Sequence, residues 1–93
     1  MDNAERQRLR AQAQELTADL QVGKAGVTDA FIAELDRRLE ENALVKIRLL
    51  ASAREGRDRK EVATEAASRA SAELLEVRGN TAVFFRARRK PKG

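Results

Sequence analysis

The stretch Leu20-Gln21-Val22-Gly23-Lys24-Ala25-Gly26-Val27-Thr28-Asp29 decides how the rest of the chain is read. Leu20-Gln21-Val22 alternates apolar and polar residues and is closed by Gly23, which fits a brief strand or an extended connector. Thr28 is a suitable helix N-cap, Asp29 complements the helix dipole in the first turn, and Val27 can staple onto Ile32. A strand running through a short glycine loop into a helix opens a crossover, so the class is α/β.

Toward the C-terminus, Phe31, Leu35 and Leu39 recur at spacing four with Ile32 beside them, the stripe of an amphipathic helix that Asn42 ends. Val45, Ile47 and Leu49 then alternate with Lys46, Arg48 and Leu50, a period-two pattern that predicts a strand with one basic face. Residues 51–59 read as a loop carrying Gly56. Asp58 with Glu61 three residues on resembles a capping box before an alanine-rich helix containing Val62, Ala66, Ala67 and Ala70. Leu74–Arg78 and Thr81–Arg86 are strands joined by Gly79-Asn80, the two-residue connection that type II′ hairpins prefer. Toward the N-terminus, Leu9, Ala13, Leu16 and Leu20 recur at helical spacing and predict a first helix from about Asn3 to Ala18. The expected order is α-β-α-β-α-β-β around a mixed four-stranded sheet, with parallel pairs from the crossovers and an antiparallel pair from the hairpin.

Ninety-three residues bury surface enough for one core, expected over residues 1–86, with 87–93 a flexible basic tail. The chain has no Cys and no His, which removes disulfide frameworks, thiol nucleophiles and imidazole chemistry. No apolar run is long enough for a membrane span and no secretory pattern opens the sequence, so a soluble cytoplasmic protein is expected. Asp36, Glu40 and Glu41 read as solvated charges on a helix face, since nothing else gathers into a metal or acid–base site. No enzyme activity, cofactor or metal is expected.

The net charge is +4, but its distribution is more informative than its total. Residues 43–60 carry +4 through Lys46, Arg48, Arg54, Arg57, Arg59 and Lys60, and residues 86–93 carry +5 through Arg86, Arg88, Arg89, Lys90 and Lys92. A terminal basic run alone is also what a solubilising tail looks like. Here it accompanies Gly23-Lys24-Ala25-Gly26, two glycines three apart before a helix start. Glycines allow backbone angles closed to other residues and let a phosphate approach the main chain. Outward amides, the positive end of the helix and Lys24 would then suit a sugar-phosphate backbone. The spacing alone is weak evidence, because a turn needing positive φ also selects glycine. Nucleotide-binding patterns of the GxxxxGK[ST] and GxGxxG kinds are absent. The candidate RNA contacts are Gly23, Lys24, Ala25, Gly26, Lys46, Arg48, Arg54, Arg57, Arg59, Lys60, Arg86, Arg88, Arg89 and Lys90. Phe31 belongs to the buried stripe, and Phe84 and Phe85 leave opposite strand faces, one into the core and the other either stacking on a base or, as favoured because the first helix needs a surface to cover, packing beneath that helix. Without an aromatic platform, recognition would rest on backbone and shape, and affinity would fall steeply with salt.

Read together, Leu20 to Thr28, the helix through Ile32-Ala33-Glu34-Leu35, Leu44-Val45-Lys46-Ile47-Arg48, Ala53-Arg54-Glu55, Asp58-Arg59-Lys60-Glu61 and Val77 to Arg86 resemble the bacterial single-domain CRM (chloroplast RNA splicing and ribosome maturation) proteins of the YhbY type. The resemblance runs from about Leu9 to Arg89. It departs at Thr17-Ala18-Asp19, where the family often has a proline, and at Phe85, where it often has an aromatic hydroxyl. The resemblance implies a fold similar to the C-terminal domain of bacterial translation initiation factor three with an added N-terminal helix. It also implies binding of ribosomal RNA or the large-subunit precursor during assembly, with Gly23, Lys24 and Gly26 in the RNA-contacting loop. Two other readings stand beside it: an adaptor docking on a ribosome-associated protein through the acidic second helix, and a cofactor of RNA splicing. A monomer is expected, since no large apolar face is left over.

Overall fold

The computed structural model describes residues 2–18, 20–23, 25–50 and 58–87. Its elements are α1 (Asn3–Ala13), β1 (Leu20–Val22), α2 (Asp29–Glu41), β2 (Leu44–Leu49), α3 (Arg59–Arg69), β3 (Glu73–Arg78) and β4 (Thr81–Phe85). All three helices start on a side-chain cap. Asp2 Oδ1 accepts from Glu5 N–H at 2.8 Å, Thr28 Oγ1 from Phe31 N–H at 3.0 Å, and Asp58 Oδ1 from Glu61 N–H at 2.8 Å. Each bond satisfies a first-turn amide that has no acceptor inside its helix.

α1 stops five residues short of the expected Ala18. The amides of Glu15 and Leu16 bond three residues back, to the carbonyls of Gln12 and Ala13, which tightens and ends the helix. Leu16 is left 38% exposed, and Leu20, which shares the helical spacing, belongs instead to β1 opposite Ile47. α3 ends without a glycine: Ser71 takes the left-handed conformation at φ +54, and Ala72 N–H closes back onto the Ala67 carbonyl at 2.9 Å.

The four strands lie in the order β1-β2-β4-β3. β1 and β2 are parallel, and β4 is antiparallel to both β2 and β3. The expectation that each helical crossover yields a neighbouring parallel pair therefore holds once and fails once. The Gly79-Asn80 hairpin folds β4 back between β2 and β3, so the β2-α3-β3 crossover spans a strand. Gly79 has φ +55 and Asn80 does not have positive φ, as a type II′ turn requires. β2 and β4 are the two inner strands, and Ala82, Val83 and Phe84 of β4 are buried.

Helices pack on both faces of the sheet, α2 and α3 on one and α1 over part of the other. Val22, Val45, Ile47, Leu49, Ala82 and Phe84 pack against Phe31, Leu35 and Leu39 of α2 and against Val62, Ala63, Ala66 and Ala67 of α3. The small residues of α3 let that helix sit close to its neighbours. On the opposite face, Ala13 of α1 packs with Leu75 and Val83, flanked by Leu9, Leu44 and Phe85. Phe84 and Phe85 therefore serve the two faces in the way their adjacency requires. A register shift between Leu74 and Glu76 marks a bulge, which turns Leu75 and Glu76 to the same side and brings Leu75 under α1.

Candidate nucleic-acid interface

The pairing register brings three segments to one edge of the sheet. Val22 lies opposite Leu49, Arg48 opposite Thr81, and Thr81 opposite Arg78. Leu50 N–H donates to the Val22 carbonyl at 3.0 Å, and Leu49 N–H to the Asn80 carbonyl at 2.6 Å. The glycine loop, the exit of β2 and the β3–β4 hairpin thus share the edge where the parallel strands end, the position at which open α/β sheets take ligands.

The two loop glycines differ in why they are glycines. Gly26 is left-handed at φ +76, and its N–H closes the turn onto the Gly23 carbonyl at 2.9 Å. The conformation alone accounts for it. Gly23 does not have positive φ, and a Cβ there would meet Leu50 Cδ1 at 3.8 Å, ordinary van der Waals contact. Neither the backbone nor the packing asks for glycine at 23.

The expectation of outward-pointing amides is met only in part. The Gly26 and Thr28 amides bond inside the loop, to the Gly23 and Gly26 carbonyls. The amides of Asp29 and Ala30, in the first turn of α2, have no acceptor within the helix and lie at its positive end. Arg69, at the end of α3, braces this region: Nη1 donates to the Val27 carbonyl at 2.6 Å and Nη2 pairs with the Asp29 carboxylate. That brace spans some forty residues of sequence and carries no local signal.

Among the expected basic contacts, Arg48 is exposed and Lys46 half-buried on the α1 side of β2, while Lys60 is exposed on the first turn of α3. Arg59 donates through Nη1 to the Gly79 carbonyl at 2.6 Å, joining α3 to the hairpin. Ala25 is exposed in the loop. Lys24, Arg54, Arg57, Arg88, Arg89 and Lys90 lie outside the described residues. Arg78, absent from the expected set, is exposed at the base of the hairpin.

Arg86 is a correction. Its guanidinium donates to Asp36 Oδ1 at 2.7 Å, to Glu40 Oε1 at 3.2 Å and to the Ala70 and Asp36 carbonyls at 2.8 and 3.1 Å, and its side chain is 19% exposed. It joins β4 to α2 and α3 instead of facing the loop edge. Asp36 and Glu40, expected as solvated charges, are its partners. Further along α2, Arg37 pairs with Glu34 at 2.7 Å and Glu41 at 3.1 Å. The hydrogen bond and charge of Glu34, followed by the charge of Glu41, raise the Arg37 guanidinium above its ordinary value. The carboxylates of α2 are thus already partnered within the fold. Among the described residues no cluster of His, Cys, Asp or Glu could hold a metal ion, and no helix is long and apolar enough to cross a membrane.

The family model of the CRS1 / YhbY (CRM) domain matches residues 1–86. The chain is 33% identical over 84 residues to the Bacillus subtilis protein named "Probable RNA-binding protein YqeI", covering 90% of this chain and 85% of that one. It is 36% identical over 80 residues to "Probable RNA-binding protein MJ0652" of Methanocaldococcus jannaschii, covering 86% of this chain and 59% of the longer relative. The solution structure of the hypothetical protein SAV1595 from Staphylococcus aureus superposes with a TM-score of 0.80 at 27% identity, covering 99% of this chain and 94% of that one.

Proposed function

The chain belongs to the CRS1 / YhbY (CRM) domain family, and on that premise we propose that it is a non-catalytic RNA-binding protein. Its partner is ribosomal RNA, or the large-subunit precursor, during ribosome assembly. The names of its relatives and the basic loop edge support this reading. The observation that carries it is Gly23: a glycine that the fold does not need, at the mouth of a helix N-terminus, is explained by a ligand backbone that must come close. Lys24 adds a positive charge to the loop sequence, and Lys60 and Arg59 lie at the start of α3, with Arg59 bonded to the hairpin at the same edge. With no aromatic platform, the interface grips phosphates and reads little sequence.

The test is a titration of a large-subunit ribosomal RNA fragment against the wild-type chain and a Gly23→Ala/Lys24→Gln variant at several salt concentrations. Wild-type binding that weakens with salt, and that drops about tenfold in a variant with unchanged unfolding midpoint, supports the loop assignment. Equal affinity of the two proteins overturns it.

A further inference from the structure

We propose that the open end of the α1-side sheet face is a second phosphate-binding surface for the same RNA, built from Arg48, Arg78 and Lys46. The inference rests on the RNA-binding reading and extends it beyond the glycine loop.

Partners in register share a sheet face, so Gln21, Arg48, Thr81 and Arg78 form one row across β1, β2, β4 and β3. The next row carries Lys46, Val83 and Glu76. α1 roofs the other end of this face, over Leu44, Leu75 and Phe85, and leaves the row uncovered. Gln21 stands two residues before Gly23, so the row begins at the foot of the loop and ends at the hairpin.

Arg6, Arg37, Arg69 and Arg86 each pair with a carboxylate, and Arg59 bonds a carbonyl. Arg48 and Arg78, both exposed, share with Arg8 and Arg10 of α1 the lack of a carboxylate partner among the described residues, and they are the two of these that the strand register sets in one row across the sheet. Two strand spacings, about 10 Å, separate them. Between them and the end of α1 lies a cleft of about 220 Å³, lined by Gln14, Lys46, Glu76, Arg78, Thr81 and Val83 among others. Two cations, Lys46 and Arg78, line the cleft with a single carboxylate, Glu76, and Arg48 stands beside it opposite Thr81, so the positive charge of this face exceeds what its own carboxylate balances and favours an anion. Such local departures from good pairing mark functional surfaces. A nucleic-acid backbone leaving the glycine loop can follow the row across the sheet, each guanidinium offering paired donors to a phosphate.

The test is the same ribosomal RNA titration with an Arg48→Gln/Arg78→Gln variant. An Arg6→Gln/Arg37→Gln variant removes equal charge from ion-paired positions elsewhere. The proposal expects the slope of log affinity against log salt to become shallower by about 1.4 for the first variant, two single-strand phosphate contacts, and to stay unchanged for the second. Both exposed positions tolerate glutamine, and unfolding midpoints verify that. An unchanged slope in the row variant, or equal changes in both variants, overturns the proposal. If the row variant binds like wild type while the Gly23→Ala/Lys24→Gln variant does not, the row fails and the loop stands. If wild type binds no RNA, the functional reading fails with it.

Discussion

The Arg86 guanidinium meets the Asp36 carboxylate at 2.7 Å, joining the end of β4 to the middle of α2. A residue that composition groups with the basic tail is thereby a brace of the fold. Its further bond to the Ala70 carbonyl, at 2.8 Å, brings α3 into the same junction.

Arg86→Gln should therefore lower stability by about 2 kcal/mol, the scale of charged hydrogen bonds that are partly shielded from water. Urea unfolding followed by circular dichroism checks this. The folded variant should bind RNA as wild type does at matched salt.

Gly26→Ala should cost about 1 kcal/mol, because an L-residue must adopt φ +76, whereas Gly23→Ala should leave the unfolding midpoint nearly unchanged. The two substitutions separate conformational need from ligand approach. Parallel urea titrations of the two variants measure the difference.

Ser71→Gly should raise stability, by up to about 1 kcal/mol, since Ser71 sits at φ +54 after α3 where glycine carries no side-chain penalty. A higher thermal midpoint with unchanged RNA affinity is the expected result.

Leu75→Ala should cost about 2 to 4 kcal/mol and loosen α1 selectively, because Leu75 is the bulge residue on which Ala13 and Leu9 rest. Hydrogen exchange should rise across residues 3–13 well before it rises in α2.

What the sequence made legible was mostly local. Thr28 and Asp58 announce their helices because a cap acts within three residues, and Gly79-Asn80 announces its hairpin because the turn geometry is set by its own two residues. The spacing of Phe31, Leu35 and Leu39 likewise identifies a buried face without knowing what covers it. The misreadings concern residues whose state is fixed by distant partners. Leu16 keeps helical spacing with Leu9 and Ala13, yet α1 ends at Ala13 and leaves Leu16 exposed. Counting charge by segment placed Arg86 with the tail and hid Arg78 in a stretch of net negative charge. Arg78 was within reach of a finer reading: a two-residue hairpin sets Arg78 opposite Thr81, and only the pairing of β4 with β2 was missing to bring Arg48 into the same row. The bulge at Leu75 and the brace from Arg69 to Val27 left no comparable trace.

The most direct test of the central claim, that an RNA backbone closes on Gly23, is the affinity of the single Gly23→Ala variant for a large-subunit ribosomal RNA fragment, measured beside its unfolding midpoint. The account predicts weakened binding, on the order of tenfold or about 1.4 kcal/mol, in a protein as stable as wild type. Undiminished affinity in that variant would contradict it.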